Sequence, residues 1–123
     1  MSRTDLHDIA LNGTADEARK LLTDGADPDA QDADGFAPLH MAAQQGNADV
    51  ARVLLESGAS VDMTNKYGNT PLFVAAFNSR GDGTMIRLLR DAGADPTKEN
   101  ATGQSPVGLA RKIANYDVAQ FFD

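Results

Sequence analysis

The chain has no cysteine. Without thiols it can form neither structural disulfides nor thiolate metal sites, and no cysteine nucleophile is available. It also lacks a long apolar run. Met1 to Lys20 is polar and carries Asp5, Asp8, Asp16 and Glu17, so a secretory leader is not expected, and no later stretch approaches the roughly 20 apolar residues of a membrane span. A soluble, cytoplasmic protein is expected, and the sequons Asn12-Gly13-Thr14 and Asn100-Ala101-Thr102 then read as coincidences.

Positive charge is in short supply. Eleven Lys and Arg stand against 18 Asp and Glu, for a net charge of −7. The deficit lies in the first half: residues 1–64 hold 12 acidic and 4 basic side chains, residues 65–123 hold 6 and 7. Asp24, Asp27, Asp29, Asp32 and Asp34 crowd one short segment, where the local field repels phosphates and speeds encounter with a basic surface. Neither nucleic acid nor membrane is expected as a partner; a protein with a basic patch is.

Catalytic constellations are missing too. Ser2, Ser57, Ser60, Ser79 and Ser105 have no nucleophile-elbow context, and Arg80-Gly81-Asp82-Gly83 lacks the lysine of a phosphate-binding loop. The tripeptide Arg80-Gly81-Asp82 is short enough to be part of a turn. The alternating carboxylates from Asp27 to Asp34 suggest a calcium loop, but the spacing would put Ala30 at its first position and Met41 at its twelfth, where oxygen ligands are required. His7 and His40 alone make a poor metal site. No enzyme activity, metal or cofactor is expected.

What is present is a period. Gly25-Ala26-Asp27-Pro28 returns as Gly58-Ala59-Ser60-Val61 after 33 residues and as Gly93-Ala94-Asp95-Pro96 after another 35. A second phrase keeps step: Gly35-Phe36-Ala37-Pro38-Leu39-His40-Met41-Ala42-Ala43, then Gly68-Asn69-Thr70-Pro71-Leu72-Phe73-Val74-Ala75-Ala76, then the degraded Gly103-Gln104-Ser105-Pro106-Val107-Gly108-Leu109-Ala110. Such periods signal a stack of small units. Thr70 and Ser105 can cap a helix whose first residue is Pro71 or Pro106, and Ala37 is a weaker cap at Pro38. Gly25, Gly58 and Gly93 follow Leu-rich stretches and read as left-handed caps closing a second helix. Gly46-Asn47 and Gly81-Asp82 divide the two helices, and alanine pairs such as Ala42-Ala43 let first helices approach closely.

These phrases resemble the ankyrin repeat. The resemblance implies an all-α solenoid of four helix-turn-helix repeats with short hairpin turns, at about 5–31, 32–64, 65–99 and 100–123, forming one domain over 1–123. It implies a concave face of hairpin tips and first helices that binds another protein, and histidines, here His7 and His40, that hydrogen-bond backbone between repeats. Phe73 and Gly108 stand at the His position in the last two repeats. Tyr116 to Phe122 is expected on a second helix, with Phe121 and Phe122 capping the core, although Ala114 stands where Gly is usual.

The third repeat is two residues longer, at about Ser79-Arg80. The insertion reads either as a ligand-facing loop or as neutral drift in a turn. Together with the closing Ile113 to Phe122 segment, the loop resembles small bacterial ankyrin proteins associated with polymorphic-toxin immunity. This implies a protein that occludes a toxin; the alternative is an assembly or stability factor for a cytosolic enzyme. Exposed positions around each turn and first helix nominate Asp34, Phe36, Gln44 and Gln45 in the second repeat, and Lys66, Tyr67, Asn69, Phe77, Asn78 and Arg80 in the third. Thr102, Gln104 and Lys112 complete the set in the fourth. Phe36, Tyr67 and Phe77 are the expected anchors, with burial inside the repeat as the equal alternative for Phe77. The free protein is expected to be a monomer.

Overall fold

The computed structural model describes residues 4–113 and 117–122. Among these the chain forms seven α-helices, one 3₁₀ turn and no strand: α1 (Asp5–Asn12), α2 (Ala15–Thr23), α3 (Pro38–Gln45), α4 (Ala48–Glu56), α5 (Pro71–Asn78), α6 (Thr84–Asp91), α7 (Pro106–Lys112) and the turn Ala119–Phe122.

Helix starts follow the capping chemistry. Thr70 Oγ1 accepts from Phe73 N–H at 3.3 Å and Ser105 Oγ from Gly108 N–H at 3.1 Å, each just ahead of a proline whose missing N–H costs nothing at that place. Ala37 has no side-chain oxygen. There His40 reaches back instead, its Nδ1 accepting from Ala37 N–H at 3.0 Å. At the other end of the units, Gly25, Gly58 and Gly93 have φ of +101°, +90° and +97°. Each is followed by an alanine N–H that bonds five residues back, to Leu21, Leu54 or Leu89, the closure that only a left-handed residue permits.

The helices stack in two rows. α1, α3, α5 and α7 pack in sequence, as do α2, α4 and α6 behind them. Ala10, Ala42, Ala75 and Ala110 are buried in the first row, while Val50, Leu54, Ile86 and Leu89 fill the space from the second. Each helix pair buries its apolar face only because a neighbour covers it, so stability is a property of the stack. Asn47 stitches two units directly: its Nδ2 donates to the carbonyls of Ala10 and Gly13 at 3.3 and 3.1 Å.

Hairpins project from the first row, and one side chain organises each. Asp32 Oδ1 accepts from Asp34 and Phe36 N–H, Asn65 Oδ1 from Tyr67 and Asn69 N–H, and Asn100 Oδ1 from Thr102 and Gln104 N–H. Successive hairpins are bonded through Lys66 N–H to Asp34 O and Ala101 N–H to Tyr67 O, both at 2.9 Å. Close approach needs glycine at Gly35 and Gly68. Both have positive φ, and a Cβ at Gly68 would lie 2.8 Å from Ala101 N.

The histidines do what the resemblance implies. His7 Nε2 meets Phe36 O at 2.6 Å and His40 Nε2 meets Asn69 O at 2.8 Å; both rings are fully buried.

The closing segment differs from the expected second helix. Ala114, Asn115 and Tyr116 lie outside the described residues, and Ala119–Phe122 is a single 3₁₀ turn. Side-chain and backbone contacts to α6 hold it: Arg90 Nη1 donates to Phe121 O at 2.8 Å, and the Arg87 and Arg90 guanidinium groups stand 4.7 and 5.6 Å from the ring centroids of Phe121 and Phe122. Phe121 is buried and Phe122 half-buried, so the expected capping role holds for the first.

Candidate functional site

Two adjoining concavities lie along α3 and α5, one where the second and third hairpins meet these helices and the other at the helices' C-terminal ends beside the start of α6. The first is an apolar depression of about 260 Å³. Its walls are Phe36, Tyr67 and Asn69 from the hairpins, Gln44 from α3, and Phe77 and Asn78 from α5. All six belong to the nominated set. Asn65, Phe73 and Val74 complete the floor.

Phe77 is not buried inside the repeat: it is 68% exposed, and Tyr67 is 52% exposed. Phe36 is less free than expected. It is half-buried, with its ring edge-on to His40 at a centroid distance of 5.6 Å, so part of its surface already belongs to the core. Asn69 is held from both sides, its carbonyl by His40 and its Oδ1 by Asn100 Nδ2 at 2.8 Å. Both of its oxygens are thereby engaged, and it contributes a fixed wall.

The second concavity is larger, about 410 Å³, and more polar. Gln44, Gln45, Asn78, Arg80 and Asp82 line it, with Thr84 at the start of α6. Gln44 and Asn78 line both spaces, so the two form one continuous surface. The inserted residues therefore build this wall. Arg80 is a non-glycine residue at φ +50°, followed by Gly81 at +89°.

Other nominated residues are used within the hairpins. Lys66 Nζ lies 2.9 Å from Asp34 Oδ1 and 5.1 Å from the Tyr67 ring centroid. The Asp34 carboxylate, and after it the Tyr67 phenol, hold the Lys66 ammonium pKa above its ordinary value. Thr102 and Gln104 are bonded to Asn100 inside the fourth hairpin. Lys112 is exposed at the end of α7. None of these five borders either concavity.

Asn65 was not foreseen. Its Nδ2 is buried without a hydrogen-bond partner. The equivalent Asn100 amide donates to Asn69; one unit earlier the place of Asn69 is taken by Phe36, which offers no acceptor. The signal was the register of Asp32, Asn65 and Asn100, which the repeat phrases flank but do not include.

A stack of helical pairs that offers exposed side chains around a hairpin-lined depression is a tandem-repeat binding scaffold. A family model described as ankyrin repeats, in three copies, matches residues 6–121, and the chain belongs to the ankyrin repeat family. Ankyrin repeats are generally protein–protein interaction modules and typically non-enzymatic. Comparison with curated proteins gives no match. Among the described residues, no helix is long and apolar enough to cross a membrane.

Proposed function

We propose that this chain binds and occludes a partner protein through the concave face formed by its hairpins and first helices, with the depression between Tyr67 and Phe77 at the centre of the contact. One observation carries the reading. The two large hydrophobic side chains most exposed among the described residues border the same depression. Aromatic groups that are open in the free protein and covered in the complex supply much of the energy of interfaces. The acidic first half, with Asp24, Asp27 and Asp34 exposed, supports a partner whose basic surface lies toward that end.

Within this reading the partner is a toxin domain and the chain its immunity protein. The support is the resemblance of the inserted loop, whose Ser79 and Arg80 line the polar concavity. The closing segment supports it less, because Ala119–Phe122 is a turn rather than a helix. The alternative is assistance to a cytosolic enzyme.

Capture from the source cell, run in parallel with the wild-type chain and with Tyr67→Ala/Phe77→Ala, tests the face: a partner retained by the first and lost by the second supports it, and equal retention contradicts it. Stoichiometric addition of the chain to that partner then separates the roles. Neutralisation stops the partner's activity, whereas assistance raises the yield of active enzyme.

A further inference from the structure

The polar concavity beside the depression is lined by the carboxamides of Gln44, Gln45 and Asn78 together with Arg80 and Asp82. Arg80 makes no ion pair or hydrogen bond among the described residues, and its side chain is exposed at the wall of this space. Three other cations of the third repeat are engaged: Lys66 with Asp34, Arg90 with the Phe121 carbonyl, and Arg87 over the Phe121 ring. Gln44 and Gln45 line the same space as Arg80. Asp82 is the acidic side chain that lines the space, and its Oδ1 is held by Thr84 N–H at 2.9 Å and Thr84 Oγ1 at 2.8 Å. That carboxylate is directed into the start of α6 and is not bonded to Arg80.

We propose that the face receives a partner segment that sets an apolar side chain between Tyr67 and Phe77 and a carboxylate against Arg80. The inference rests on the binding reading above and deepens it by naming the chemistry of the bound segment. A guanidinium presents a planar fork of donors that suits a carboxylate. Gln44 and Asn78 border both spaces, so one short stretch of chain can fill the two together. The turn that carries Arg80 is the two-residue insertion. Arg80 adopts a left-handed backbone that a residue with a Cβ rarely takes, and the turn is closed by the 2.9 Å bond from Asp82 N–H to Ser79 O. The side chain is therefore delivered to the cavity by a feature that the second unit, with only Gly46-Asn47 between α3 and α4, does not have.

The protein's overall field opposes this preference. With a net charge of −7, non-specific attraction favours basic peptides, so enrichment of acidic ones must come from a local site.

Selection of short random peptides displayed on phage, against the immobilised full chain at physiological salt, tests the proposal. The expected pool places Asp or Glu within a few residues of a large aliphatic or aromatic residue. A peptide from that pool should bind roughly tenfold more weakly to Arg80→Glu, and to Phe77→Ala, while Arg80→Lys retains part of the affinity. Both positions are exposed, and circular dichroism of each variant confirms that the helices are intact. Peptides that lose affinity with Phe77→Ala but carry no excess of acid, or that ignore Arg80→Glu, overturn the carboxylate site and leave the binding face standing. A pool of basic peptides unaffected by either substitution, or no enrichment at all, overturns both.

Discussion

The Nε2 of His40 donates to the carbonyl of Asn69 across 2.8 Å, so a buried side chain of α3 fixes the hairpin that carries Tyr67. Because Nδ1 accepts from Ala37 N–H, the proton belongs on Nε2 and the ring is neutral. A second proton would have to displace the Ala37 bond inside the core.

Burial pushes the His40 pKa below its ordinary value of 6.5, against opposing contributions from the Asn69 and Met63 backbone and Asp32, with His7 acting in the same direction as burial. The unfolded chain therefore binds a proton near pH 6.5 that the folded chain resists, and the contribution to stability is complete above that pH and lost as pH falls through the folded value. The urea midpoint should be lower at about pH 5.5 than at about pH 7.5. His40→Phe, which copies Phe73 of the next unit, should narrow the difference. An unchanged difference in that variant would remove His40 as its source.

Leu54 is fully buried between the helix rows. Leu54→Ala should cost about 2–5 kcal/mol in denaturant unfolding, through lost contacts and the cavity left behind. A loss below about 0.5 kcal/mol, as at exposed sites, would contradict the stacking that buries it.

Gly68 and Gly103 occupy equivalent places with φ of +76° and +80°, but only Gly68 has another hairpin against it. A Cβ there would meet Ala101 N at 2.8 Å, whereas the nearest atom at Gly103 is Glu99 Oε2 at 3.7 Å. Gly103→Ala should cost about 1–2 kcal/mol from backbone strain alone, and Gly68→Ala measurably more. Equal losses in chemical denaturation would mean that hairpin-to-hairpin contact contributes nothing.

The Phe121 ring covers Gly83, and a methyl there would collide with it. Gly83→Ala should destabilise the chain by about 1–3 kcal/mol through overpacking and should speed proteolysis after Phe121 or Phe122. Unchanged cleavage would show that the turn is not seated on α6.

Much of the fold was legible because each repeat phrase has a local cause. Pro38, Pro71 and Pro106 begin α3, α5 and α7, and the glycines after the Leu-rich stretches take the left-handed cap. The closing segment was read by register alone, and register does not reveal that Phe121 and Phe122 pack against the arginines of α6, with Phe121 over Gly83. At the site, spacing brought Phe36, Tyr67, Phe77, Gln44 and Asn78 to one surface. It could not foresee that Lys66 would be paired with Asp34, or that Thr102 and Gln104 would be tied to Asn100, because exposure on a hairpin does not reveal which polar groups the hairpin itself uses. The unpartnered Asn65 amide follows from Phe36 standing where Asn69 stands one unit later, a pairing visible only once the hairpins are side by side.

The central claim is that the depression flanked by Tyr67 and Phe77 is the contact surface. Titration calorimetry of the captured partner against the wild-type chain and Tyr67→Ala/Phe77→Ala tests it most directly. The account predicts a Kd at least about tenfold weaker for the variant, with helical circular dichroism and urea midpoint close to wild type. An unchanged Kd in a folded double variant would contradict it.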